Sequence, residues 1–181
     1  GRQSAERIDE TSSTYYPEFS HDVCARWENL ANRCRSEQTR VCVLRIGIVL
    51  SEKGGALSKM LPAFKLGLGG KIGSGTQMMS WIHIDDLVSS INFVLANTEC
   101  SGVYNATAPM AVSNSQWTQL LGDRLAKKTP LPMPAFLLKL MFGEMSDLLL
   151  FGQNVYPQRL LDAGFLFKYN QLRNALSSLQ L

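Results

Sequence analysis

His21 and His83 are the only two histidines in this chain. His83 stands in the apolar run Trp81-Ile-His-Ile84, just ahead of Asp85-Asp86. An imidazole near carboxylates can move a proton close to neutral pH. Buried, the same ring can hydrogen-bond and order a loop. No second His or Cys is spaced to share a metal ion with it, so no zinc site is expected. Asp85 and Asp86 are adjacent and point apart on a helix, so they read as helix caps rather than as an acid/base pair. Ser74, Ser80 and Ser113 lack the strand–turn–helix setting of a nucleophile elbow, and a hydrolase triad has no support.

Two further features could hold an anion. The loop Gly67-Leu-Gly-Gly-Lys-Ile-Gly-Ser-Gly75 is glycine-rich, but a dinucleotide fingerprint follows a strand and opens a helix. This one follows a helix and leads toward a strand, so it reads as a loop beside a ligand rather than a pyrophosphate cradle. Arg45 interrupts an apolar run, and a buried guanidinium needs a partner. That partner is either a carboxylate within the fold or a bound anion at a sheet edge. Both readings stay open.

The elements that must position these groups follow from periodicity. Residues 1–16 are polar and read as a surface loop. Pro17 opens a helix whose Phe19, Val23, Trp27, Leu30, Ala31 and Cys34 predict one buried face. The run from Val41 to Leu50 is β-branched and almost continuously apolar, as expected of a strand buried on both faces in a parallel sheet. After Gly54-Gly55 a helix is expected from about Ala56 to Leu68, with Pro62 in or near its first turn. Trp81–Ile84 predicts a strand, and an amphipathic helix follows with Leu87, Val88, Ile91, Phe93, Val94 and Leu95. Tyr104–Ala106 predicts another strand. Ser113-x-x-Gln116 is a capping box opening a helix through about Ala126. The last third predicts helices near 135–142, 146–151, 157–163 and 170–179, and a strand at Phe165–Phe167.

Composition bounds the rest. Hydrophobic residues make up 45% and charged residues 18%, which excludes a wholly disordered chain. The net charge of +3 is spread along the sequence, which argues against a nucleic-acid partner. The stretch Pro134–Phe151 carries Lys139, Glu144 and Asp147, too many charges for a membrane span. Cys24, Cys34, Cys42 and Cys100 fit no zinc or redox spacing. With no export signal in view, reduced thiols and a cytoplasmic protein are expected. One helix followed by one buried strand supplies a single piece of a parallel sheet. Together with a start at Gly1-Arg2-Gln3, this leads us to expect part of a longer polypeptide.

The order of motifs carries a resemblance. Leu44-Arg-Ile-Gly-Ile-Val-Leu50, Gly54-Gly55, Met60-Leu-Pro-Ala-Phe64, Gly67-Leu-Gly-Gly70, Gly73-Ser-Gly75 and Trp81-Ile-His-Ile-Asp-Asp-Leu87 occur in series. The series resembles the C-terminal half of extended short-chain dehydrogenase/reductases, the nucleotide-sugar epimerase and dehydratase class. Cys24-Ala-Arg-Trp-Glu28, Gly143-Glu144, Gly152-Gln153, Pro157-Gln-Arg159 and Ala163-Gly-Phe165 resemble the atypical "epimerase family protein" branch, which carries a C-terminal module of unknown function.

The resemblance implies an α/β chain. It would be the C-terminal part of an NAD(P)-binding Rossmann-like fold, plus a small α/β substrate lobe. Residues 1–50 would end the Rossmann-like domain, 51–132 would form the substrate lobe, and 133–181 the family-specific helical module. NADP or NAD would be the cofactor of the whole protein, with Ile46, Gly47, Ile48 and Val49 as contacts. Lys65, Gln77, Trp81 and His83 would face a small-molecule substrate, nucleotide-linked in this class. The helix at 17–35 corresponds to one that builds a homodimer in the class.

The resemblance also exposes departures. The class places a Tyr-x-x-x-Lys pair at the start of this helix. Here Phe19 stands in place of the Tyr and Val23 in place of the Lys, and neither moves a proton. Tyr15 and Tyr16 lack a Lys at the needed spacing. His21 and Asp22 are the titratable groups on that turn. Ile48 stands where the class has a substrate-touching Asn. The implied function is an NAD(P)-dependent epimerase/dehydratase-like oxidoreductase. The alternative is a non-catalytic NADP(H)-binding sensor or interaction module.

Overall fold

The computed structural model describes residues 6–13, 18–129, 132 and 150–181. The elements run β1 (Arg7–Ile8), α1 (Phe19–Asn32), β2 (Cys42–Ile46), β3 (Ile48–Leu50), α2 (Gly55–Lys65), β4 (Met78–Met79), β5 (Trp81–His83), α3 (Ile84–Ala96), β6 (Gly102–Ala106), β7 (Val112–Ser113), α4 (Asn114–Arg124), β8 (Asn154–Val155), α5 (Gln158–Asp162) and α6 (Leu172–Ser178). Strands pair as β1–β8, β2–β6 and β3–β5 in parallel, and β4–β7 antiparallel. Parallel pairs joined through helices make this an α/β fold.

Alternation along the short strands divides the interior in two. Trp81 points into one core with Leu50, Leu57, Leu61, Phe64, Trp117, Leu121 and Leu176. Its neighbour Ile82 points into the other, with Leu87, Val94, Tyr104, Leu160, Phe165 and Phe167. Period-two side-chain direction is what sends adjacent residues to opposite cores. Helices α2, α4 and α6 contribute to the first core, and α3 and α5 to the second.

Local chemistry sets the helix starts. Ser113 accepts from the Gln116 amide, and the Gln116 side chain reaches back to the Ser113 amide, closing the expected capping box. For α3 the cap is His83, whose Nδ1 accepts from the Asp85 amide, and not Asp85 or Asp86 as expected. The two carboxylates occupy the first turn, where the helix dipole favours negative charge. The C-terminal end of α3 has no basic residue of its own. Arg40 arrives from the start of β2 and donates to the carbonyls of Val94, Leu95 and Cys100.

Several expectations are corrected. No residue of α1 is buried, and Phe19 and Trp27 are 77% and 68% exposed. Its apolar stripe is exposed at Phe19, Trp27 and Leu30 and half-buried at Val23. The run 41–50 is not a strand buried on both faces. It is two strands split at Gly47, half-buried through Leu44, with Arg45 and Ile46 exposed. Among the described residues β2 has one strand neighbour, β6, so its other edge is open. Pro62 lies well inside α2 rather than in its first turn. Part of the expected N-terminal loop forms β1. Phe165–Phe167 is not a strand. Phe165 and Phe167 meet edge to face at 4.8 Å, and the following amides bond a side chain instead of a ladder. The helices expected near 135–142 and 146–151, and the expected helix opening at Pro17, lie outside the described residues, save 150–151.

Candidate functional site

The carboxyl ends of parallel strands are where open α/β sheets bind ligands. Here β2 and β6 end side by side and then part. The Gly47 amide makes the last bond of that pair, to the Ala106 carbonyl at 3.1 Å. One residue later the Ile48 amide turns to the Ser80 carbonyl at 2.8 Å. The Ala108 amide bonds the Trp81 carbonyl. β5 therefore enters as a wedge between β3 and the chain that continues from β6, and the sheet forks at Gly47 and Thr107. A Cβ on Gly47 would stand 2.7 Å from the Ser80 carbonyl oxygen and 2.8 Å from Thr107 Cγ2. Only glycine fits the fork. The atoms that approach Gly47 most closely are those of Ser80 and Thr107.

The expected cofactor contacts line this fork. Ile46 is 53% exposed at the carboxyl end of β2. Ile48 packs partly against the Trp81 core and Val49 partly against the Ile82 core. Arg45, one residue before Ile46, binds Glu28 of α1 through both carboxylate oxygens, at 2.7 and 2.8 Å. That hydrogen bond and charge raise the guanidinium above its ordinary value, against the pull of desolvation. The carboxylate partner was one of the two open readings, and it is the one observed.

The four residues expected on the substrate side divide. Lys65 is exposed at the end of α2, and Gln77 is half-buried, donating to the Ile72 carbonyl. Trp81 and His83 both belong to the interior. Trp81 is fully buried and its indole N–H donates to the Met110 carbonyl. His83 is buried, caps α3 through Nδ1, and meets the Ser178 hydroxyl with Nε2 at 3.2 Å. Burial pushes its pKa down, against the opposing carboxylates of Asp85 and Asp86. Ser178, His83 and Asp85 superficially suggest a triad. Nδ1 accepts an amide N–H, so the proton sits on Nε2, the tautomer opposite to that of a general base. A buried residue that orders its surroundings therefore describes what His83 does.

Sequence reasoning missed several residues that hold the region together. Asp86 is buried and accepts from the amides of Lys168 and Tyr169 at 2.8 and 2.9 Å. Glu10 accepts from the amides of Asn105 and Arg159. Asn114 is fully buried and takes the Ile72 amide, tying the glycine-rich loop to α4. A buried Asn directly after a capping Ser was a usable signal for the last. Glu10 and Asp86 carried none, because their partners are far away in sequence.

Two surface hollows, of about 560 and 420 Å³, lie elsewhere. The larger sits at the end of α4 around Asp123, Lys127 and Lys128, and the smaller beside Tyr104 and Arg159. Neither includes an expected site residue. Among the described residues no group of His, Cys, Asp and Glu is placed to hold a metal ion. All four cysteines are free. No helix of the described residues is long and apolar enough to cross a membrane.

Comparison with known proteins gives this geometry its context. Residues 10–107 match the NAD dependent epimerase/dehydratase family. The chain belongs to that family. Residues 133–179 match a domain of unknown function, DUF1731. The chain is 42% identical, over 90% of its length, to the chloroplastic epimerase family protein SDR39U1 homolog of Arabidopsis thaliana, and covers 46% of that protein. It is 41% identical, over 93% of its length, to the epimerase family protein SDR39U1 of Mus musculus, and covers 57% of it. The chain thus spans about half the length of these relatives. The crystal structure of human epimerase family protein SDR39U1 with NADPH superposes with a TM-score of 0.91 at 36% identity, covering 96% of this chain and 59% of that one. The nucleoside-diphosphate sugar epimerase of Corynebacterium glutamicum superposes at 0.74 with 31% identity, covering 97% of this chain and 33% of that one. More distant structures, such as a dTDP-glucose 4,6-dehydratase from Streptomyces venezuelae at 17% identity, share the Rossmann-like fold.

Proposed function

We propose that this chain is the C-terminal half of an NAD(P)-dependent epimerase/dehydratase-like oxidoreductase. Residues 1–50 end its cofactor domain, 51–132 form a substrate lobe, and 133–181 a family-specific module. The observation that carries the reading is the likeness, at a TM-score of 0.91 over 96% of the chain, to a family protein solved with NADPH. The half-exposed Ile46 above Gly47 suits a flat apolar ring laid against the fork. Ile46, Gly47, Ile48 and Val49 would hold the nicotinamide end. When bound, the cofactor supplies hydride transfer. The chain supplies an apolar wall that excludes water. Lys65 and Gln77, on the lobe, suit an anionic, nucleotide-linked small molecule.

A second reading is favoured by one observation. The first turn of α1 carries an exposed Phe19 and a half-buried Val23 where the class has its proton-transferring pair. A protein that binds NADP(H) without turning it over, as a sensor or interaction module, fits that turn.

One experiment separates the readings. NADPH and NADH are titrated by calorimetry into this chain and into the family-length polypeptide containing it, followed by turnover assays with carbonyl compounds and nucleotide sugars. Binding by the longer polypeptide with turnover supports the oxidoreductase. Binding without turnover supports the sensor. No binding of either nucleotide sinks both.

A further inference from the structure

The fork at Gly47 is closed by a segment from the far end of the chain. Ser80, at the tip of the inserted strand, donates its hydroxyl to the Gln153 carbonyl at 2.6 Å and accepts from the Val155 amide at 2.9 Å. Thr107, on the opposite tine, donates to the Val155 carbonyl at 3.3 Å. Asn105, on β6 just before that tine, donates its amide group to the Tyr156 carbonyl at 3.0 Å. The outer edge of the same segment is taken by β1, and the Tyr156 amide bonds the Ile8 carbonyl. The segment enters through Gly152, where a Cβ would overlap the backbone of Met78. Ser80 and Thr107 are thus both the residues whose atoms flank Gly47 and residues that the segment fixes.

We infer that residues 153–156, within the stretch matched by the domain of unknown function, are a splint that sets the geometry of the cofactor-facing turn Ile46–Val49, with Ser80 as its principal positioning residue. The inference rests on the proposed reading of that turn as the nicotinamide contact. Part of the module of unknown function thereby acquires a role, which is to hold the two tines of the fork at a fixed separation. Ser80 acts through its hydroxyl on the splint and through its carbonyl on the Ile48 amide, and it does not itself touch the cofactor. Two hydrogen bonds converge on that one hydroxyl, so its removal frees both the half-buried Val155 amide and the half-buried Gln153 carbonyl.

The test uses the family-length protein and whichever of NADPH and NADH the wild type binds more tightly. Ser80→Ala weakens that nucleotide about tenfold by calorimetry. Thr107→Val, which keeps the shape and removes one bond, weakens it about threefold. Ser80→Thr, which keeps a hydroxyl, restores affinity to within about twofold. In the nucleotide-free protein, amide hydrogen exchange at Gly47 and Ile48 speeds up in Ser80→Ala while the Leu121 amide of α4 exchanges as before. Unchanged affinity in Thr107→Val together with Ser80→Ala overturns the splint and leaves the cofactor reading standing. Faster exchange at Leu121 as well as at Gly47 also overturns it, since the role is then general stability. If Ser80→Ala does not fold, the affinity of Thr107→Val decides alone. A wild type that binds neither nucleotide overturns the splint and the cofactor reading together.

Discussion

Helices α1 and α3 are nearly equal in length, 14 and 13 residues, and both space apolar side chains as amphipathic helices do. α3 buries Leu87 and Val94 against the second core, caps its N-terminus with His83 and receives Arg40 at its C-terminus. α1 buries nothing, and its N-terminal residue Glu18 makes no side-chain cap. Its bidentate contact with β2 runs through Glu28 and Arg45, at the surface. The stripe is a property of a sequence, whereas burial is a property of its neighbours. A periodic pattern tells which face will be covered, and only the tertiary structure tells what covers it.

The contrast can be broken or sharpened by measurement on the 181-residue chain. Trp81→Ala should lower the unfolding free energy by about 3–5 kcal/mol, and Trp27→Ala by no more than about 0.5 kcal/mol. Urea denaturation reads both, and a Trp27 loss equal to that at Trp81 would break the comparison. Asp86→Ala strands the amides of Lys168 and Tyr169 and should cost about 1–3 kcal/mol. Asp85→Ala, on the exposed side of the same turn, should cost far less, and equal losses would show that burial of the carboxylate is immaterial.

A third measurement concerns the α3 cap. Burial holds the His83 pKa below 6.5, so the folded state binds fewer protons than the unfolded state just under that value. Stability from this group is complete above pH 6.5 and declines as the pH falls below it. His83→Asn keeps an acceptor for the Asp85 amide without a titrating ring, and the decline should shrink in denaturation curves taken across that range. An unaltered slope would move the pH sensitivity to another group. The smallest effect is expected at α1. Glu28→Gln should cost less than about 1 kcal/mol, because the pair is partly solvated. Added salt should erase most of the difference. A larger, salt-insensitive loss would mean that α1 is held as firmly as α3.

Legibility in the sequence followed the range of the interactions. The capping box at Ser113 lies within four residues, and it formed as expected. Helix α3 declared itself by periodicity and α4 by that capping box. β1, β4, β7 and β8 are two residues each, too short for any period, and exist only through distant partners. Phe165–Phe167 has strand composition, but its aromatic rings fill the second core and no ladder forms. Gly47 could be singled out as a point of close approach. That the approaching atoms belong to Ser80 and Thr107 depended on strands meeting across the sheet. Trp81 and His83 were candidates through the family resemblance, and their burial depends on packing that the local sequence does not show.

The bond between Glu10 and the Arg159 amide spans 149 residues. On the ribosome β1 is made well before the segment that completes it. At about 5–20 residues per second, β1 waits on the order of ten seconds for its partner. Through that interval its backbone is an unpaired edge, open to any extended segment nearby. The flank of β1 is charged and hydroxyl-rich, and in the folded chain Asp9 turns back on Thr11 and Ser12, so that edge is short and polar.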